Sequence, residues 1–237
     1  MARIGIITAL LPEAACLTTA STQTESTIAL DDHTTMIVCG IGAERALRAT
    51  RTLIEAGIDG LISWGTAAAL ASNIQSGDLI VPETVLAVDN ETIYLQSDWR
   101  KSIIKRLTDC PGDIYLGQLT DSIRVLSSIT EKSLLYSQSG ALAVDMESAS
   151  IASLATEHHI PCVVLRAITD SAIMTIPDAI MTHSNAYGQV PLLRLVSTML
   201  LDPRQIRPLI KLAKGFRTAA KTLKWIGQRR AEILRYE

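Results

Sequence analysis

The sequence predicts an α/β fold: a three-layer sandwich around a mixed, mostly parallel central sheet, closed by an amphipathic helical tail. Three observations predict it. Short apolar runs of strand character alternate with helical patterns through residue 170, as strands joined by crossover helices do. Two of these runs end near carboxylates within ALAVDMESASIASLATEHHIPCVVLRAITD (141–170), at the sheet edge where open α/β folds place ligands. The last stretch, Gln205 to Tyr236, repeats apolar residues at helical spacing.

The elements follow in order. RIGIIT (3–8) reads as a buried strand, and Pro12 suits the first turn of a helix behind it. Residues 21–35 are polar and read as a hairpin; Met36–Gly40 is a strand running into Gly40-Ile41-Gly42-Ala43 and a helix near Glu44–Ala56. GLISWG (60–65) and DLIVPETVLAV (78–88) are strand-like, Asp89–Asp98 is loop or hairpin, and Asp98–Leu107 is helical. Ile114–Leu119 and Ile123–Leu126 read as short strands, followed by a helix around Glu131–Ser139. Strand, helix and strand then lead to Asp170. Residues 171–190 read as a loop or lid, and two helices, Pro191–Leu201 and Gln205–Tyr236, close the chain.

The length of 237 residues fits one large α/β domain, divided here into a catalytic domain (1–190) and a helical basic extension (191–237). With one Phe, five Tyr and three Trp, the core must be packed by Leu, Ile, Val and Ala. Net charge is −2, but residues 201–237 carry ten Lys/Arg against Asp202, Glu232 and Glu237, so a tail of +7 joins a body of −9. Such a tail suits an anionic surface, membrane headgroups before nucleic acid. Cys16, Cys39, Cys110 and Cys162 form no CxxC pattern and read as small buried residues of a reducing compartment. The opening MARIGIITALLPEAAC looks superficially like an export signal, yet Pro12-Glu13 interrupts its short apolar run, so a first strand is the better reading. No window has the roughly 18 consecutive apolar residues of a spanning helix. The expectation is a cytoplasmic protein, peripheral on the inner membrane face if the tail binds lipid.

Several residues are candidates for chemistry, each with a plainer alternative. Gly40-Ile41-Gly42, between strand and helix, could cradle phosphate but more simply makes a tight turn, and it lacks the third glycine of a dinucleotide fingerprint. Trp64-Gly65-Thr66-Ala67-Ala68 offers small residues and a hydroxyl after a strand, a turn that lets backbone N–H groups approach an oxygen-rich ligand. Glu13 either stabilises a helix dipole or serves as a general base at the strand edge. Glu147 is either a surface ion-pair partner or a polar clamp. Asp170, after Thr169 at the end of an apolar strand, favours a functional role, because SAIMTIP supplies no clear helix for it to cap. His33, His158, His159 and His183 lack metal-ligand spacing, so no metal is implied. In the tail, Ile206, Leu209, Ile210, Ala213, Phe216, Ala220 and Leu223 form an apolar series flanked by Arg207, Lys211, Lys214, Arg217, Lys221 and Lys224. That pattern fits an interfacial helix or a terminal helix packed on the domain.

Taken together, IGIITALLPEA, GIGAERA, WGTAAAL, VDMES and RAITD resemble the nucleosidase branch of the nucleoside phosphorylase and nucleosidase superfamily across Met1–Ile180. SGALAVDMES, LRAITDSA and the tail PLIKLAKGFRTAAKTL are closer to its hopanoid-associated group, linked to releasing adenine from adenosylhopane. The resemblance implies roles. Asp170 would protonate N7 of adenine and Glu13 would activate the attacking water. Glu147 would hold the ribose hydroxyls, Met146 would pack on the sugar, and Gly65 and Thr66 would lie near the nucleophile, with Thr169 beside the base. Such a set suits cleavage through an oxocarbenium-like state. It implies an adenosine-type substrate that could be lipid-linked, no cofactor, water or inorganic phosphate as nucleophile, and a homo-oligomer. Three departures stand out. Ser63-Trp64 occupies the place of a phosphate-gripping arginine, which favours water unless Arg45 or Arg48 substitutes. Ala67 and Ala68 replace glycines. Asp121-Ser122-Ile123 stands where methylthioadenosine nucleosidases carry an adenine-stacking phenylalanine, so Ile123 would grip the base by aliphatic contact.

Overall fold

In the computed structural model, which describes residues 2–95, 97–177, 185–187 and 206–236, a mixed sheet runs through the centre of the chain. Strand β1 (Ile4–Thr8) lies between β3 (Thr34–Val38) and β4 (Gly60–Ala69), parallel to both. On its far side β4 runs parallel to β11 (Cys162–Asp170), and its last residues pair antiparallel with β10 (Ala143–Asp145). The sheet continues from β10 to β9 (Leu119–Asp121), β6 (Thr84–Leu86) and β7 (Thr92–Tyr94), while β5 (Leu79–Ile80) pairs with β11 and carries β8 (Ile114–Tyr115) on its outer edge, and β2 (Thr27–Ala29) pairs with β3. The expected mixed, mostly parallel α/β sandwich is present.

Alternation along the strands builds two cores. Ile7, Leu61, Val164 and Ile168 face one side, where α2 (Ala43–Glu55) and α5 (Ser148–Glu157) pack with Ala46, Leu53, Ile151 and Ala155. Ile6, Ile62, Trp64, Val163 and Leu165 face the other, covered by α3 (Asp98–Arg106) and a C-terminal helix, which we number α6 (Ile206–Gln228), through Ile103, Ala219, Leu223 and Ile226. Each fully buried Leu or Ile contributes about 1.5–3 kcal/mol, so the Phe-poor composition is no obstacle.

Several boundaries differ from expectation. Beyond GLISWG, β4 continues to Ala69, so Gly65-Thr66-Ala67-Ala68 is strand and not a turn; β11 and β10 both pair with it there and supply the hydrogen bonds that keep it extended. DLIVPETVLAV is two strands, because Pro82 has no N–H for a ladder and the Val81 carbonyl accepts from Arg100 Nη2 at 2.8 Å. Ile123–Leu126 is irregular, an approach to the N-cap Ser128 of α4 (Ile129–Ser139). The expected helix Pro191–Leu201 and the 190/191 boundary lie outside the described residues.

Helix α6 belongs to the core. It buries Leu209, Gly215, Ala219, Thr222, Leu223, Ile226 and Gly227, whereas Ile210, placed on the apolar series, is 61 % exposed. The buried face is rotated from the expected one because two glycines admit backbone. A Cβ on Gly215 would lie 2.0 Å from the Thr169 carbonyl oxygen, and one on Gly227 would lie 2.2 Å from that of Cys16. The flanking Arg207, Lys211, Lys214, Arg217, Lys221 and Lys224 are exposed. Among the described residues, no helix is long and apolar enough to cross a membrane.

Candidate active site

The first turn after β1 places Glu13 under the sheet edge, on the short helix α1 (Leu11–Ala14), where Pro12 supplies the fixed φ of a helix start. Glu13 is 2 % exposed and its carboxylate accepts four hydrogen bonds. Oε1 takes the backbone N–H and hydroxyl of Thr66, both at 2.7 Å. Oε2 takes the Thr8 hydroxyl at 2.9 Å and the Leu10 N–H at 3.0 Å. Gly65 makes this approach possible, since a Cβ there would lie 2.8 Å from both Glu13 oxygens and 2.4 Å from Arg166 Nη1.

A buried arginine organises the centre. Arg166, 1 % exposed in mid-β11, reaches Asp145 Oδ2 at 2.7 Å, the Ser63 hydroxyl at 2.8 Å and Glu147 Oε2 at 3.8 Å. Ser148 accepts from its Nε at 3.2 Å and donates to Asp145. Burial opposes the guanidinium's charge, but Asp145, Glu147 and Glu13 more than compensate and raise its pKa. Glu147 accepts from the Gly42 N–H at 2.9 Å, so the Gly40-Ile41-Gly42 turn offers its N–H to a carboxylate of the protein itself. Both glycines have positive φ, 84° and 106°, which explains the residue type. Burial, opposed by Arg166 and reinforced by Asp145, pushes Glu147 up to about 8. Burial and then Asp145, its partner across the β9–β10 ladder, push Asp121 up to about 7.

At the end of β11 the register with β4 shifts between Ile168 and Asp170, a bulge that re-aims the strand end. Thr169 consequently faces a cavity of about 160 Å³, together with Glu13, Thr66, Met146 and Glu147. Asp170, 3 % exposed, lies one hydrogen bond behind that wall, taking the Thr169 hydroxyl on Oδ1 at 2.6 Å. Its Oδ2 meets the Nζ of Lys132 at 2.5 Å.

The phosphorylase superfamily profile matches residues 3–178. The chain belongs to the phosphorylase superfamily. A stretch of 141 residues, 54 % of this superfamily member, is 23 % identical to a DeoD-type purine nucleoside phosphorylase of Streptococcus gordonii and spans 58 % of it. Another of 160 residues, 60 % of the chain, is 28 % identical to a 5′-methylthioadenosine/S-adenosylhomocysteine nucleosidase of Oceanobacillus iheyensis and spans 70 % of it. Among solved structures, the Neisseria meningitidis 5′-methylthioadenosine/S-adenosylhomocysteine nucleosidase in complex with methylthio-immucillin-A matches with a TM-score of 0.71, at 17 % identity, over 96 % of this chain and 98 % of that one. That likeness is one of fold.

Of the residues expected at the site, this superfamily member brings Glu13, Thr66, Met146, Glu147 and Thr169 to one cavity, with Gly65 beneath Glu13 and Asp170 behind Thr169. Ile123 is not among them. It is 80 % exposed and lines a neighbouring groove, and Arg124, Val125 and Leu126 take its place at the cavity because the segment is irregular and not a strand. Neither proposed arginine substitute reaches the cavity: Arg48 pairs with Glu44 at 2.7 Å, and Arg45 stacks over Tyr187 at 5.7 Å. Arg166, Asp145 and Lys132 escaped the sequence reading as working residues. A lone arginine inside the apolar run CVVLRAI was the available signal for the first. For Lys132, on the polar helix ITEKSLLYSQS, the sequence carries none.

Proposed function

We propose that the chain cleaves the N-glycosidic bond of a 5′-substituted adenosine and releases adenine. One observation carries the reading: a base-type carboxylate, a ribose-type carboxylate and the strand-end Thr169 border a single cavity, with Asp170 hydrogen-bonded directly behind Thr169. Glu13 activates water against the anomeric carbon once the Thr66 hydroxyl turns from Oε1 to the water and frees that oxygen to accept. Glu147 binds the ribose hydroxyls and Met146 packs on the sugar. Burial raises the Glu147 pKa against the pull of Arg166, so when it holds a proton Glu147 can donate to one hydroxyl and accept from the other. Asp170 hands a proton to N7, so that the purine leaves as a neutral base. No cofactor enters, and water is favoured over phosphate because no free cation faces the Glu13 side among the described residues: Arg124 is paired with Glu131 at 2.6 Å.

The preferred substrate is adenosylhopane. A groove of about 560 Å³ shares Met146 with the cavity and carries Leu47, Val88, Ile93 and Ile123, apolar groups fit for a lipid 5′ substituent. The soluble alternatives are methylthioadenosine, adenosylhomocysteine or an ordinary purine nucleoside with phosphate. A non-catalytic nucleoside-binding protein is the rival from another class. The test is to incubate purified protein with adenosylhopane and, separately, 5′-methylthioadenosine, with and without phosphate, and follow released adenine. Release from the lipid substrate, independent of phosphate and lost in Asp170→Asn, is expected. Adenosine-analogue binding without turnover by the wild type would overturn the reading.

Membrane contact, in this reading, is peripheral and electrostatic. Helix α6 has no acidic residue over its 23 positions, and its six exposed Lys/Arg form a ridge some 25 Å long at 1.5 Å per residue. Because the opposite face is core, deleting the helix would damage the fold. The charges themselves should be changed: K211Q/K214Q/R217Q/K221Q should keep the melting temperature and lose co-sedimentation with phosphatidylglycerol vesicles, most clearly at low salt. Equal sedimentation of both proteins would remove the membrane from the account.

A further inference from the structure

Helix α4 contains a residue its sequence does not explain. Of its eleven residues it buries only one, and that one is Lys132, with no exposed surface at all. Taking an ammonium fully out of water costs several kcal/mol unless each proton finds an acceptor. Here all three do: Asp170 Oδ2 at 2.5 Å, the Ser171 carbonyl at 3.0 Å and the Met174 carbonyl at 2.9 Å. The helix start is otherwise secured without it. Ser128 and Glu131 form a capping box, and Glu131 also pairs with Arg124 at the cavity rim. Packing of the segment after β11 is likewise supported independently, by the Ile176 N–H to the Ser127 carbonyl at 2.9 Å. The helix cap and the Ile176 contact therefore do not by themselves demand a lysine at this position, whose ammonium serves Asp170 and two carbonyls of the segment after β11.

We propose that Lys132 is the positioning residue of the leaving-group acid: it fixes Asp170 by Oδ2 and turns Oδ1 towards Thr169 and the departing base. This rests on the nucleosidase reading of the cavity. In the step itself Asp170 takes a proton from solvent on Oδ1 as substrate enters and the Thr169 hydroxyl turns from donor to acceptor. The C1′–N9 bond then breaks, its electron pair goes to the purine, the Oδ1 proton passes to N7, and water adds at C1′ while giving its own proton to Glu13. Asp170 is left as a carboxylate, and the Lys132 ammonium, which keeps its own protons, already faces the charge that appears. Interactions that strengthen as charge develops accelerate the step, whereas ground-state binding alone does not. Lys132 also limits the geometry. With Oδ2 held by Lys132, Oδ1 is the oxygen that can meet substrate once the Thr169 hydroxyl bonded to it turns aside, so one purine edge, N7 with the adjoining 6-amino group, fits there.

The test separates leaving-group assistance from structural support. Lys132→Met is compared with wild type on an adenosine substrate and on the 4-nitrophenyl riboside bearing the same 5′ group, whose phenolate departs without a proton. Expected is a fall of about 10²-fold in kcat on the adenosine, from the range general acids contribute, with KM little changed and nitrophenyl riboside hydrolysis within about threefold of wild type. The double variant K132M/D170N should be no slower than D170N, because both changes act on one proton transfer. Equal losses on the two substrates, or additive losses in the double variant, would overturn the proposal. If Lys132→Met does not fold, Lys132→Gln, which retains donors without the charge, is read in the same way. Wild-type turnover with an unimpaired K132 variant removes the role of Lys132 alone. A wild type that releases no adenine removes the nucleosidase reading and this inference with it.

Discussion

Glu13→Gln should lower kcat/KM for adenine release by about 10³-fold, within the range spanned by general bases, and should also cost stability. Four donors meet the Glu13 carboxylate: Thr66 N–H and hydroxyl on one oxygen, Thr8 hydroxyl and Leu10 N–H on the other. An amide must turn its NH₂ towards one of these pairs, so donors meet donors in a buried site. The mismatch should cost about 1–3 kcal/mol. Steady-state kinetics together with urea denaturation separate the two effects. A variant retaining more than a tenth of wild-type turnover would show that Glu13 is a structural acceptor and not the base.

Arg166→Met should give the largest loss of stability, about 3–5 kcal/mol, as expected when one partner is taken from a buried ionic cluster. Asp145 would lose its 2.7 Å partner, and Glu147 the charge that opposes its raised pKa. The pH dependence has a definite sign. Glu147 holds its proton in the folded chain up to about 8, against an ordinary value of 4.5. Its contribution is therefore full below about 4.5 and declines as pH rises through about 8. Removing Arg166 steepens that decline, so the deficit should be larger at pH 8 than at pH 5. Urea midpoints at the two pH values measure it, and a deficit below about 1 kcal/mol at both would contradict the hub role.

The sequence was most legible where local rules and tertiary structure agree. The strand–helix–strand unit ending at Asp170 is set by β-branched runs and a clear helix between them, and β10, α5 and β11 lie where those patterns put them. The same patterns place Glu13, Glu147 and Thr169 at strand ends and helix starts, whereas their roles came from the family resemblance, the residues alone leaving plainer readings open. What could not be read depends on contacts between distant segments. The extension of β4 through Gly65 needs β10 and β11 beside it. Burial of Lys132 depends on the loop after β11, far along the chain, and nothing in a polar helix announces it. Ile123 lies outside the cavity that Arg124 lines because an apolar residue in an irregular segment has no period to determine which way it points. For α6, hydrophobicity suggested one face, and glycine contacts with the backbone chose another.

The contact of Gly215 with the Thr169 carbonyl also bears on how such a chain can diverge. Even a methyl group at position 215 would collide with the strand end that carries Thr169 and Asp170, so that point is closed to mutational drift. The outward Arg and Lys residues of the same helix touch no such constraint. Their charges can be rewritten one at a time without displacing the cavity. A lineage could therefore change what the helix meets outside while inheriting the chemistry inside unaltered.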